Sequence, residues 1–115
     1  MHEASIAGGV LQLVEEAAQK ERFSRLLELR LEVGALAGVD VHALRFALEC
    51  LGPGSLLEGA RIEIVEPPGR AWCLACSQTV TVRQHGDACP SCGSYQLQVT
   101  EGTALRVLDM RVSDD

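Results

Sequence analysis

Two cysteine pairs set the terms on which this chain can fold. Within WCLACSQTVTVRQHGDACPSCGSY, Cys73-x-x-Cys76 and Cys89-x-x-Cys92 stand twelve residues apart. A two-residue gap lets two thiolates on one tight turn reach the same ion at about 2.3 Å, and two such turns complete a tetrahedron. Gly93 follows the second pair, where a residue that tolerates positive φ helps the turn close. The stretch is short and poor in core aliphatics, so it predicts a module that depends on its metal rather than on burial. Four thiolates close the coordination sphere and leave no position for water or substrate, which predicts a structural Zn2+ at Cys73, Cys76, Cys89 and Cys92. Iron in the same thiolates is the main competing metal. A dithiol redox pair is a weaker alternative, because the motif is doubled.

The rest of the chain supplies what the cysteine stretch lacks. Hydrophobic residues make up 47% of the 115 residues and aromatics only 3%, so the core is aliphatic. Residues 4–20 predict a helix, with Ile6, Val10, Leu13, Val14 and Ala17 recurring at helical spacing. Gly8 and Gly9 weaken its first turns by about 1 kcal/mol each relative to Ala. Residues 25–34 predict a strand in which Leu27, Leu29, Leu31 and Val33 alternate with Glu28, Arg30 and Glu32. Asp40 stands at the N-cap position of a second helix, VHALRFALECLG, whose stripe is Val41, Leu44, Leu48 and Leu51. Cys50 in that helix reads as a small buried hydrophobe. His42 and His85 read as solvated polar residues, with assistance to a metal as the alternative for His85. Residues 60–66 predict a second strand, Pro67-Pro68-Gly69 a boundary, and 103–112 a closing strand whose register is ambiguous at Val107-Leu108. The fold class is therefore α+β: a small three-stranded sheet with two helices, plus an inserted four-cysteine zinc-ribbon-like module. Residues 1–69 and 101–115 form one domain and 70–100 the zinc-binding insertion.

The formal net charge of −6 argues against nucleic-acid and anionic-membrane surfaces, which need clustered Lys and Arg. No apolar run approaches the ~20 residues of a membrane helix. The N-terminus lacks the pattern of a secretory signal, which predicts a cytoplasmic protein whose cysteines bind metal rather than pair.

The first three residues, Met1-His2-Glu3, set an amine, an imidazole and a carboxylate within a few bonds of one another. Methionine is removed only before small residues, so the amine of Met1 is expected to stay in place. With the backbone nitrogen and imidazole of His2 it can form fused chelate rings, a nitrogen-rich set suited to square-planar Ni(II) or Cu(II). Glu3 offers a further ligand. The plainer reading is a helix start, in which Glu3 complements the helix dipole and His2 is a frayed polar residue.

The terminal MHE, an α/β layer of this length, the Pro67-Pro68 punctuation and CxxC-x12-CxxC before a closing strand together resemble the HypA/HybF family. These are nickel metallochaperones of NiFe-hydrogenase maturation. The resemblance covers essentially the whole chain, and its most specific element is MHE paired with the two CxxC motifs. It implies zinc at Cys73, Cys76, Cys89 and Cys92. It implies labile nickel at His2 with the Met1 amine and nearby backbone nitrogens, supported by Glu3. Asp40 is offered as an additional oxygen ligand, with a plain N-cap as its other reading. It also implies a carrier rather than an enzyme, a HypB-like GTPase maturation partner and a hydrogenase large-subunit precursor as acceptor. Urease maturation proteins are a second destination in some organisms. The chain has no GxxxxGK[ST] phosphate loop, which leaves GTP hydrolysis to that partner. The exposed face of the first helix and the apolar sheet edge are candidate contacts.

The alternative is a zinc-ribbon module for protein or nucleic-acid contacts without nickel. Against a nucleic-acid role, the stretch from Trp72 to Tyr95 holds one arginine, one tryptophan and one tyrosine, and the whole chain is acidic. Against a metalloenzyme, four thiolates leave no open site beside an acid or base.

Overall fold

The structure, a computed structural model, describes residues 2–114. The chain runs α1 (Glu3–Glu21), β1 (Arg25–Val33), α2 (Val41–Cys50), β2 (Arg61–Val65), β3 (Gly69–Cys73), β4 (Gln78–Val82), β5 (Leu97–Glu101) and β6 (Leu105–Ser113). Two three-stranded sheets form, in the orders β2-β1-β6 and β4-β3-β5. The chain divides into two compact units. The first comprises residues 1–31, 39–64 and 107–115, and the second residues 32–38 and 65–106.

In the first unit the helices form where the periodicity predicts. Ala7, Val10 and Val14 turn the buried stripe of α1 inward, and Leu44 and Leu48 are fully buried on α2. Leu29 and Leu31 of β1 are buried as well, so the core is aliphatic, as the composition requires. Asp40 caps α2, its Oδ1 accepting from the Ala43 N–H at 3.1 Å. Two details differ from the expected alternation. Leu26 is buried at 2% exposure while Leu27 is only half-buried, so the first two leucines of β1 exchange roles. On β6, Val107 and Leu108 are both half-buried. Arg30 of β1 pairs with Asp109 of β6 at 3.2 Å, and Glu32 with Arg106 at 2.8 Å.

The second unit builds its own sheet. β3 pairs antiparallel with β4, Ala71 opposite Val80, and with β5, Ala71 opposite Val99. Its core is Leu36, Ala71, Val80 and Val82 together with Cys73 and Cys89. Leu36 comes from the connection between β1 and α2, held by backbone bonds from Leu36 N–H to Gly102 O at 2.7 Å and from Ala35 N–H to Pro67 O at 2.9 Å. Three glycines permit this close approach. A Cβ on Gly34 would collide with the Gly102 carbonyl. One on Gly69 would lie 2.6 Å from the Leu36 side chain and from Val82 O, and one on Gly102 2.6 Å from the Gly69 Cα.

Candidate metal centres

The cysteine site is built from two knuckles that close in the same way. Cys73 ends β3, and its carbonyl accepts from the Ser77 N–H at 2.9 Å; the Cys89 carbonyl accepts from the Gly93 N–H at 2.8 Å. Each donor has left-handed φ, 54° at Ser77 and 78° at Gly93. Gly93 is announced by its identity, because glycine adopts positive φ without a Cβ penalty. Ser77 does the same work in the first knuckle, and only its place four residues after Cys73 points to it. The first cysteine of each pair, Cys73 and Cys89, is buried in the core of the unit, whereas Cys76 is half-buried and Cys92 exposed.

All four Sγ atoms lie within 4.8 Å of one another, with Cys73–Cys92 at 3.6 Å and Cys76–Cys89 at 3.8 Å. A tetrahedron with metal–sulfur distances of about 2.3 Å has edges of about 3.8 Å, so the sulfurs stand where one ion can bridge them. The crowding also appears in their proton affinities. Burial, followed by the neighbouring thiols, pushes Cys76 up to about 12. Burial also opposes ionisation of Cys89, but the N–H groups of Cys92 and Ser91 outweigh it and bring this thiol down to about 7. Without a cation the cluster cannot hold four thiolates at neutral pH; a divalent ion supplies the missing counter-charge. His85 stands apart from this set. Its Nε2 lies 2.9 Å from the Leu36 carbonyl, tying the loop between the cysteine pairs to the β1–α2 connection.

The other candidate ligands gather in the first unit at the start of α1. His2 is the N-cap residue, exposed and without a side-chain cap bond, and its carbonyl accepts from the Ile6 N–H at 3.1 Å. Glu3 opens the helix and turns its carboxylate to the start of α2, where Oε2 accepts from the Asp40 N–H at 2.9 Å. This bond holds the Glu3 carboxyl below its usual value. The residues flanking both helix starts, Glu3 and Asp40, are thus brought together, with Asp40 turning its own carboxylate back to cap α2. Met1 lies outside the described residues.

Cys50 departs from the buried role expected of it: the thiol is exposed. His42 is likewise exposed. The exposed and half-exposed cysteines therefore differ in kind, since Cys76 and Cys92 belong to the cluster and Cys50 does not.

Two helices beside a small sheet, followed by a knuckled four-cysteine group able to hold one ion, define a small metal-binding protein of the α+β class, and among the described residues no helix is long and apolar enough to cross a membrane. The family model described as "Hydrogenase/urease nickel incorporation, metallochaperone, hypA" matches residues 1–112, and the chain belongs to this HypA family. The hydrogenase maturation factor HypA of Polaromonas naphthalenivorans is 63% identical over 115 residues, all of both chains. That of Cupriavidus necator is 59% identical over 114 residues, 99% of this chain and 96% of the relative. The solution structure of the nickel metallochaperone HypA from Helicobacter pylori shares the fold, with a TM-score of 0.68 over the whole of both chains at 24% identity.

Proposed function

We propose that this protein carries Ni(II) at its N-terminus and hands it to the large-subunit precursor of a NiFe-hydrogenase, with a zinc ion held by Cys73, Cys76, Cys89 and Cys92. Membership of a nickel-incorporation family supports the cargo. The observation that carries the site is the 2.9 Å bond from the Asp40 N–H to Glu3, which fixes the residue after His2 against the start of α2. In this reading the Met1 amine, the His2 backbone and imidazole nitrogens bind the cargo. Glu3 positions them, and the Asp40 carboxylate, on the surface beside Glu3, is an additional oxygen donor. His2 is exposed, which suits a carrier that must release what it binds. Binding displaces protons from the nitrogen ligands, so affinity falls as pH falls. Zinc supplies charge balance and a cross-link in the second unit; a closed thiolate sphere gives it no catalytic position. GTP hydrolysis is left to a HypB-like partner, and urease maturation proteins are a second class of recipient.

The test is a calorimetric nickel titration of zinc-loaded, tag-free protein at neutral pH. The native chain is compared with one carrying an extra Gly before Met1 and with His2→Ala. The native chain should bind about one nickel, and both variants should bind it far more weakly. Equal binding by all three would overturn the terminal site.

A further inference from the structure

An open groove of about 460 Å³ lies between the start of α1 and α2 in the first unit. Ala4, Ala43 and Ala47 supply small side chains along it, Leu51 lines it, and Phe46 stands 67% exposed at its side. Glu3 carries the only charge among its lining residues. A large aromatic ring left this exposed beside an apolar groove marks an interaction surface rather than a solvated face. A second observation points the same way. Gly8 lies one turn beyond Ala4 on α1, and a Cβ placed there, or on Gly9, would meet nothing within 4 Å. Nothing inside the described residues therefore requires these glycines, although each weakens the helix. Small residues at Ala4 and Gly8 allow another backbone to approach α1 closely, and Phe46 then closes over it.

We infer that this groove receives an amphipathic helix of a partner protein, apolar along one stripe and flanked by Lys or Arg. Charge selects the basic flanks. Glu3 lies in the groove and Asp40 at the start of α2, whereas Arg45 is turned away to the Ile62 carbonyl at 2.9 Å. A helix seated there brings its protein to Glu3, beside the proposed nickel terminus. The inference rests on the carrier reading for the identity of that protein: a maturation factor that takes part in nickel transfer. A second copy of this chain fits less well, since it would bring acidic rims together.

The experiment measures binding of the zinc-loaded protein by calorimetry to two purified probes, the maturation GTPase and the hydrogenase large-subunit precursor of the same host. Wild type is compared with Phe46→Asp, Gly8→Leu and the control Leu13→Asp, which alters an exposed leucine of α1 outside the groove. At least one probe should bind, with affinity reduced roughly tenfold or more by Phe46→Asp and Gly8→Leu, as for a central anchor, and changed less than about twofold by Leu13→Asp. Gly8→Leu should also raise the melting temperature, because leucine is the better helix former, so its loss of binding cannot be ascribed to misfolding. Equal affinities across the series, or no binding of either probe by wild type, would overturn the inference. So would a wild-type dimer in sedimentation that Phe46→Asp dissolves, which assigns the groove to a second copy. Nickel titrations of the same proteins separate the two readings: the groove variants should retain the nickel affinity of wild type, and loss of the terminal site leaves the probe-binding comparison intact.

Discussion

At the two knuckles, backbone conformation sets what a single residue can be. Gly93 has φ of 78°, where an L side chain meets the following carbonyl at a cost of roughly 1–2 kcal/mol. Gly93→Ala should therefore weaken the second knuckle by about that amount and speed metal loss to a chelator, followed with a colorimetric zinc indicator. Ser77→Gly, at φ of 54°, should slow it or leave it unchanged. An equal rate for Gly93→Ala and wild type would show that the turn does not limit release. Gly93 was legible because glycine announces positive φ; Ser77 was not, because serine carries no such signal. Cys50 was misread by weight of composition over geometry. It lies two residues beyond Leu48, about 200° around the helix, so the stripe through Leu44 and Leu48 faces away from it. Glu3 makes a pH prediction with a definite sign. Its folded-state value is lowered, first by the Asp40 N–H, so the stabilisation is present above the unfolded value of 4.5 and disappears as pH falls through the lower folded one. The Asp40 amide proton should thus show an unchanged shift from neutral pH to about 5 and move only in more acidic solution, in step with the Glu3 carboxyl carbon. A midpoint near neutrality would remove Glu3 as its partner.

Elements repeat the contrast between patterns that period alone reveals and contacts that need the third dimension. Both helices, β1, β2 and β6 follow from apolar spacing, and the Asp40 cap from its place before VHALRF. The sheet of the cysteine unit was hidden for a specific reason. TVTV at 79–82 alternates, yet it buries only Val80 and Val82, and the largest core side chain, Leu36, arrives from a segment outside the cysteine stretch. Gly34 and Gly69 read as punctuation in one dimension; folded, they are points of backbone contact. Leu36 is seated only because Gly34 lies against the Gly102 carbonyl and Gly69 against Leu36. Gly34→Ala must then push backbone from backbone, which no rotamer change relieves. We expect it to destabilise the second unit by about 1–3 kcal/mol, with a lower melting temperature for the tryptophan signal of Trp72, whereas Gly38→Ala, with open space around it but positive φ, should cost about 1 kcal/mol. Comparable melting of both variants would mean that the glycine contact does not hold Leu36 in place.

For the molecule as a whole, the two units stand on different supports. Ala7, Val10, Val14, Leu26, Leu29, Leu31, Leu44, Leu48 and Leu57 are buried in the first, all of them aliphatic. In the second, the seven buried hydrophobic residues are Val33, Leu36, Ala71, Val80 and Val82 with Cys73 and Cys89, which are also candidate ligands. Metal binding to such a unit is folding free energy, because the unfolded chain offers no formed site. The thiols add a pH dependence. Cys76 is pushed up to about 12 and Cys92 is also held above its ordinary value, so these two thiols keep their protons at neutral pH and must lose them as the ion enters. Acid therefore favours release, and metal affinity should fall steadily as pH drops. Two signals report the units separately. Trp72, the only tryptophan, sits on β3 next to Cys73, while α1 and α2, the only helices among the described residues, belong to the first unit. On chelation at neutral pH the Trp72 emission should shift to the red and the far-ultraviolet helical signal should largely persist; lowering the pH should produce the same Trp72 change without chelator, and added zinc should reverse it. If helical ellipticity and Trp72 emission collapse together with one midpoint, the first unit does not stand on its aliphatic core, and the metal supports the entire chain.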